Sequence, residues 1–188
     1  MSKFLIVGLG NIGPEYEGTR HNIGFDVLNK LAETEKVSFS SDRLADVAHL
    51  KLKGRSIILI KPTTYMNLSG KAVNYWLQQE KIEKSNMLVL VDELALPLGK
   101  LRMGPKGSDG GHNGLKNIQE VLGTSEYPRL RFGISNAFSK GKQVDFVLGK
   151  WTEEERPLVK ERIDIAVEAI KSFTFIGLER TMNVFNTK

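Results

Sequence analysis

Three histidines and no cysteine occur in this chain of 188 residues, so its polar chemistry has to be sought among imidazoles, carboxylates and carboxamides. Asn11 lies in GLGNIG, His21 and Asn22 in TRHN, Asn67 in KPTTYMNLSG, Asp92 in VDELALPLG, and His112 and Asn113 in GGHNG. Without cysteine there is no thiolate nucleophile, no disulfide framework and no zinc site built on sulfur. His21, His49 and His112 show neither H-x-H nor H-E-x-x-H spacing, which argues against metal hydrolysis. No G-x-S-x-G elbow is present, and neither Ser69 nor Ser108 is paired with an obvious base. The remaining set suits a histidine that activates water directly. Asp92 would hold the imidazole tautomer, and carboxamide N–H groups would stabilise an oxyanion. No metal and no cofactor are expected.

GLGNIG also fits the G-x-G-x-x-G pattern of a dinucleotide-binding turn, which needs a helix whose first amides receive a pyrophosphate. Here Pro14-Glu-Tyr-Glu-Gly-Thr19 follows, with no apolar residues at helical spacing, so the chain continues as a loop. Glu33 and Glu35 fall at the end of a predicted helix, where a ribose-binding acid on a second strand would be required. A glycine turn leading a strand into a functional loop is the better reading, and a nicotinamide or flavin enzyme the weaker one.

The elements that must position these residues follow from periodicity. Strands are expected over 3–8, 46–52, 56–60, 87–91, 98–103 and 129–134, the second and third joined as a hairpin through Lys53-Gly54. Apolar stripes predict helices over 22–33, 69–79 and 114–122. A long last helix is announced by Thr152 with Glu155 three residues on as a capping box, and Val159, Ile163, Ala166, Ile170 and Phe173 give it one packing stripe. Strands alternating with helices imply a single α/β domain over 1–188, a mixed, mostly parallel twisted sheet between helical layers. In such sheets sites form beyond the carboxyl ends of the strands, and each polar residue named above follows a strand. Singly, an asparagine in a turn is explained by its tolerance of left-handed backbone. Convergence on one edge is what points to function.

Lysine and arginine exceed aspartate and glutamate by 27 to 22, a modest excess that matters only where it is concentrated. Candidate clusters are Lys51, Lys53 and Arg55, then Lys100, Arg102 and Lys106, then Arg129 and Arg131, then Lys140 and Lys142. No stretch approaches the roughly 18 apolar residues of a membrane span, and the absence of cysteine fits an intracellular, cytoplasmic protein. Short loops and a polar surface predict a monomer. The Gly, Ser and Lys content of 136–150 predicts a mobile lid over the cleft.

In order and spacing, VGLGNIGPEYEGTRHNIGF, KPTTYMNLSGKAV, VDELALPLGKLRM, GGHNGLKNI and YPRLRFGI resemble the motifs of bacterial-type peptidyl-tRNA hydrolases. The likeness runs from about residue 4 to 134, and the tail fits in length and helical character. It implies hydrolysis of the ester between a peptide and the 3′-terminal ribose of tRNA, with peptidyl-tRNA, through its acceptor stem and 3′ end, as partner. By the resemblance, His21 would be the general base and Asp92 would orient it. Asn11 and Asn67 would position substrate, Asn113 would serve the oxyanion, and Met66 would line the peptide channel. Tyr16, Tyr65 and His112 belong to the same substrate-binding segments. Arg102 and Arg131 match positions associated with the 5′-phosphate and acceptor stem, and Lys106 and Lys140 join them on charge and proximity alone. The chain departs from the family pattern at Ile12, Glu93, Ala95 and Gly104, and at GISNAF, which replaces Gly-Ile-Gly-Arg-Pro. Plastid splicing factors that resemble this family keep its fold while acting through protein and RNA partners, so an RNA-binding adaptor is the alternative.

Overall fold

The computed structural model describes residues 2–188. Among them, seven strands form one sheet in the order β2-β3-β4-β1-β5-β7-β6: β1 Lys3–Gly8, β2 Ser40–Asp42, β3 Ala45–Leu52, β4 Arg55–Pro62, β5 Met87–Glu93, β6 Leu101–Gly104 and β7 Arg129–Gly133. β4, β1, β5 and β7 are parallel neighbours, while β3 on one side and β6 on the other run antiparallel to them, and β2 pairs antiparallel with β3 at the edge. The helices are α1 Ile23–Thr34, α2 Ser69–Glu80, α3 Asn113–Leu122, α4 Gln143–Val147, α5 Arg156–Ile176 and α6 Leu178–Phe185. None is long and apolar enough to cross a membrane.

The period-two alternation of strand side chains divides the apolar residues between two cores. Ile6, Ile57, Leu59, Leu88 and Leu90 face α1 and α5, where Val27, Leu28, Leu31, Val159, Ala166, Ile170 and Phe173 close over them. Leu5, Val7, Ile58, Ile60, Met87, Val89 and Val91 face α2 and α3, meeting Val73, Trp76, Leu77, Leu115 and Ile118. Each buried Leu, Ile, Val, Met or Phe among them contributes about 1.5–3 kcal/mol. Glycine lets the first strand and helix touch: a Cβ on Gly8 would lie 2.3 Å from the Gly24 carbonyl oxygen, and one on Gly24 only 2.6 Å from the Leu9 amide. The glycine motif thus serves close packing of α1 on β1.

Several boundaries differ from expectation. β5 runs two residues past the apolar run and includes Asp92, because backbone pairing with β7 continues as Asp92↔Phe132 and Glu93↔Gly133. β6 begins at Leu101. Thr152 and Glu155 do make the reciprocal bonds of a capping box, at 2.9 and 3.2 Å, but regular helix starts one turn later at Arg156, with Pro157 in its first turn. Gly177, at φ 88°, then ends α5 and begins the separate α6. β2, α4 and α6 have no sequence signal strong enough to predict them. At the outer edge, the Asn186 side chain accepts from the Met103 amide at 2.7 Å and donates to its carbonyl at 2.9 Å.

Candidate active site

Beyond the carboxyl end of β1 the chain loops out through the 3-10 turn Pro14–Tyr16 and returns at the 3-10 turn Arg20–Asn22, directly ahead of α1. Buried Asn22 latches this loop. Its Oδ1 accepts the Asn11 amide and its Nδ2 donates to the Asn11 carbonyl, both at 2.9 Å. Gly10 is needed beneath it, since a Cβ there would lie 2.9 Å from the same Oδ1. Asn11 Oδ1 in turn accepts the Met66 amide at 2.7 Å. That leaves the Asn11 N–H pair free for a ligand. The glycine segment is followed by the 3-10 turn Pro14–Tyr16 in place of the helix that a dinucleotide-binding turn would lead into, and the start of α1 that packs against it is occupied by the Asn22 latch and the close contact of Gly24 with Leu9.

His21, on the returning turn, reaches the end of β5, where its Nδ1 lies 2.8 Å from Asp92 Oδ2. The other Asp92 oxygen lies 2.8 Å from His112 Nε2. His112 is the N-cap of α3, and its Nδ1 accepts from the amides of Gly114 at 3.1 Å and Leu115 at 3.3 Å. An imidazole nitrogen that accepts amides carries no proton, so His112 must be protonated at Nε2 and donate to Asp92. Asp92, its side chain only 3% exposed, accepts a second N–H from His21 Nδ1, which places the free lone pair of His21 on Nε2. Burial would raise the carboxyl pKa, but His112 first, and then His21, hold it well below the usual carboxylate range. The facing ring nitrogens of His21 and His112 and the carboxylate oxygen of Asp92 lie within 4.8 Å of one another, closer than sequence spacing indicated. They are joined through protons as two donors and one acceptor.

A cavity of about 110 Å³ opens over this trio, lined also by Glu93, Gly110, Asn113, Arg131 and, from α4, Val144 and Val147. Asn113 is the first residue of α3 and exposed, so its carboxamide and the positive end of the helix dipole face the same space. Asn67, on the turn Met66–Leu68, is exposed. Met66, expected along the channel, is 4% exposed and packed in the core beside Leu9 and Gly114; its amide makes the contact with Asn11. Tyr65 is 50% exposed and held at φ 65°, ψ 158°, a conformation that is strained for any residue but glycine. Tyr16 is half-buried on the first 3-10 turn.

The basic residues divide sharply. Arg102, Lys106 and Lys140 are exposed. Arg131, directly opposite Arg102 in the β6–β7 ladder, pairs with Glu93 at 2.8 Å and donates to the Ser108 carbonyl at 2.9 Å. Glu93, a departure from the family pattern, thus takes up part of the charge expected for phosphate. Arg129, grouped with Arg131 as a polyanion candidate, is 1% exposed and bound to the carbonyls of Gly107, Ser125 and Tyr127. It is a structural tie. Ser135, where the pattern has glycine, keeps φ at 67°, so the loop geometry persists at a conformational cost. Asn22, named in the sequence among the polar residues at the strand ends, is the latch of this loop, whereas Arg20 escapes the sequence reading, since nothing in its spacing marks it.

Asn11 also borders a neighbouring cavity of about 530 Å³ that includes Glu17, Phe25, Asp26, Asn29, Asp46 and Lys61. Burial raises the Asp26 pKa to about 6, with Lys61 opposing and Glu17 adding to the shift. Between pH 4 and 6 the folded chain therefore keeps a proton that the unfolded chain has lost, and stability falls as pH rises through that window. Asp26→Asn is expected to gain about 2 kcal/mol near pH 8 and nothing near pH 4. Urea unfolding at both values measures the difference, and an equal gain at both would contradict it.

Comparison with known proteins places the chain in a family. Residues 5–188 match the family model described as peptidyl-tRNA hydrolase. A curated relative from Porphyromonas gingivalis, named peptidyl-tRNA hydrolase, is 59% identical over 98% of this chain and 100% of its own length. One of the same name from Bacteroides fragilis is 56% identical over 99% and 100%. The crystal structure of peptidyl-tRNA hydrolase from Acinetobacter baumannii superposes with a TM-score of 0.92 at 34% identity, covering 97% of this chain and 94% of that one. With the motifs, the fold and these relatives in agreement along nearly its whole length, the chain belongs to the peptidyl-tRNA hydrolase family.

Proposed function

We propose that this protein hydrolyses peptidyl-tRNA without a metal ion, with His21 as the base. The observation that carries the reading is the shared carboxylate. The α3 amides fix the His112 tautomer, His112 and His21 both donate to Asp92, and His21 Nε2 is left as the acceptor beside the cavity. Nε2 takes a proton from water as the water oxygen bonds to the ester carbonyl carbon. The charge developing on the carbonyl oxygen meets the Asn113 carboxamide and the first turn of α3. The bond to the ribose oxygen then breaks, and the proton held by His21 passes to that oxygen, releasing peptide and tRNA. Asn11 and Asn67 orient the peptide near the ester, with Tyr16 and Tyr65 at its sides, and 136–150 acts as a lid. The protein works as a cytoplasmic monomer.

On this reading Arg102, Lys106, Lys140 and, less fully, Arg131 receive tRNA phosphates. Such contacts position the substrate without reading sequence. Arg102→Ala is expected to lower the slope of log affinity against log salt by about one. A binding titration on deacylated tRNA over a range of salt measures it, and an unaltered slope removes Arg102 from the phosphate contacts.

The direct test is release of tRNA from N-acetyl-aminoacyl-tRNA in excess EDTA, beside the same ester lacking the acyl group. Rapid hydrolysis of the blocked substrate alone supports the metal-free esterase and recognition of the amide next to the ester. Tight, salt-sensitive tRNA binding with no hydrolysis would replace it with the adaptor.

A further inference from the structure

Arg20 immediately precedes His21, yet its side chain points away from the trio and is buried, 8% exposed. One guanidinium nitrogen donates to the Phe146 carbonyl at the end of α4 at 3.0 Å, and another meets the Glu155 carboxylate at 2.9 Å. The planar group lies 4.2 Å from the centre of the Phe146 ring and 5.5 Å from that of Trp151. Its Nε is buried without a partner, so these contacts alone offset the cost of burying the charge. The backbone repeats the connection. The Arg20 amide donates to the Gly149 carbonyl at 3.0 Å, and Thr19 bridges to Lys150. Glu155 is itself fixed, because the same carboxylate oxygen that takes Arg20 accepts the Thr152 amide.

The two ends of this connection border one space. α4 supplies Gln143, Val144 and Val147 to the cavity whose floor is His21, Asp92 and His112. A single side chain therefore spans from the turn that aims the base to the helix that roofs the cavity.

We infer that Arg20 is a positioning residue: through Phe146 and Glu155 it fixes the seat of α4 and the placement of His21 relative to each other, so that covering the cavity and aiming the base become one event. The inference rests on the reading of His21 as the base. Lysine cannot reproduce it, having neither the planar stack nor two separated donors. Neither Phe146 nor Glu155 borders the cavity, so the device acts on the rate at saturating substrate and leaves tRNA affinity to the exposed cations.

The test uses the full chain with Arg20→Lys and Glu155→Gln. Glu155→Gln keeps an oxygen for the Thr152 and Arg20 hydrogen bonds while removing the charge, so it holds the fold if Arg20→Lys does not. Kinetics on N-acetyl-aminoacyl-tRNA well below Tm should show kcat down about tenfold for Arg20→Lys and a few-fold for Glu155→Gln, with KM within about twofold. Amide hydrogen exchange should quicken together over 143–149 and over 20–23 in both variants. A lower Tm with kcat unchanged would make Arg20 a purely structural ion pair and overturn the inference. Faster exchange in 143–149 with none in 20–23 would also overturn it, because the two ends would then be independent. If the unmodified protein hydrolyses nothing, the functional reading fails, and the exchange measurement still decides whether the two segments are coupled.

Discussion

Asp92→Asn is expected to lower the single-turnover rate on peptidyl-tRNA by roughly 10²–10⁴, more than loss of one hydrogen bond would suggest. The reason is tautomeric. His112 cannot move its proton, because its Nδ1 accepts two amides at the start of α3, so it continues to offer Nε2–H. The asparagine oxygen turns to meet it, which aims the new NH₂ group at His21 Nδ1. That nitrogen must then accept, the His21 proton moves to Nε2, and the free lone pair disappears from the atom that faces water. Geometry survives and the base does not. Rapid-quench kinetics measure the loss. A second variant, His112→Asn with Asp92→Asn, lets the amide oxygen face His21 again and should recover part of it. A rate within threefold of the unmodified protein for Asp92→Asn alone would refute the wiring.

Next in size is His21→Ala, with an expected fall of roughly 10² or more in the same assay. What persists comes from the oxyanion contacts of α3 and from positioning of the ester, which the substitution leaves in place. Asp92 loses one donor but keeps His112, so its carboxylate stays ionised and the end of β5 stays ordered. tRNA affinity should therefore match the unmodified protein, since the substitution removes none of the cations assigned to its phosphates. Equal affinity with a reduced rate assigns His21 to chemistry, and an unchanged rate removes it from the role of base.

The polar residues at the strand ends were legible because alternation located the strands and α/β topology places their carboxyl ends on one edge. The central parallel strands and the helices that cover them were legible for the same reason. What escaped was tertiary. Asp92 belongs to β5 because Phe132 pairs with it, a partner 40 residues on that no local pattern predicts. Arg129 and Arg131, two residues apart on one strand, look alike in sequence, yet one closes a loop through three carbonyls and the other answers Glu93. Met66 reads as a channel residue by resemblance, whereas packing beside Gly114 turns its side chain inward. Arg20 is the clearest case, because its partners Phe146 and Glu155 come from 126 and 135 residues away.

The carboxamide of Asn186 has a further consequence. By accepting from Met103 and donating to it, it completes one rung of a strand that is not there, on an outer edge that α6 also covers. The opposite edge needs no such cover, since β2 is three polar, exposed residues. An open strand edge is a template for another chain. The turn that carries Asn186 therefore blunts that edge, and a change that displaced Asn186 would free the Met103 amide and carbonyl to pair with the next molecule.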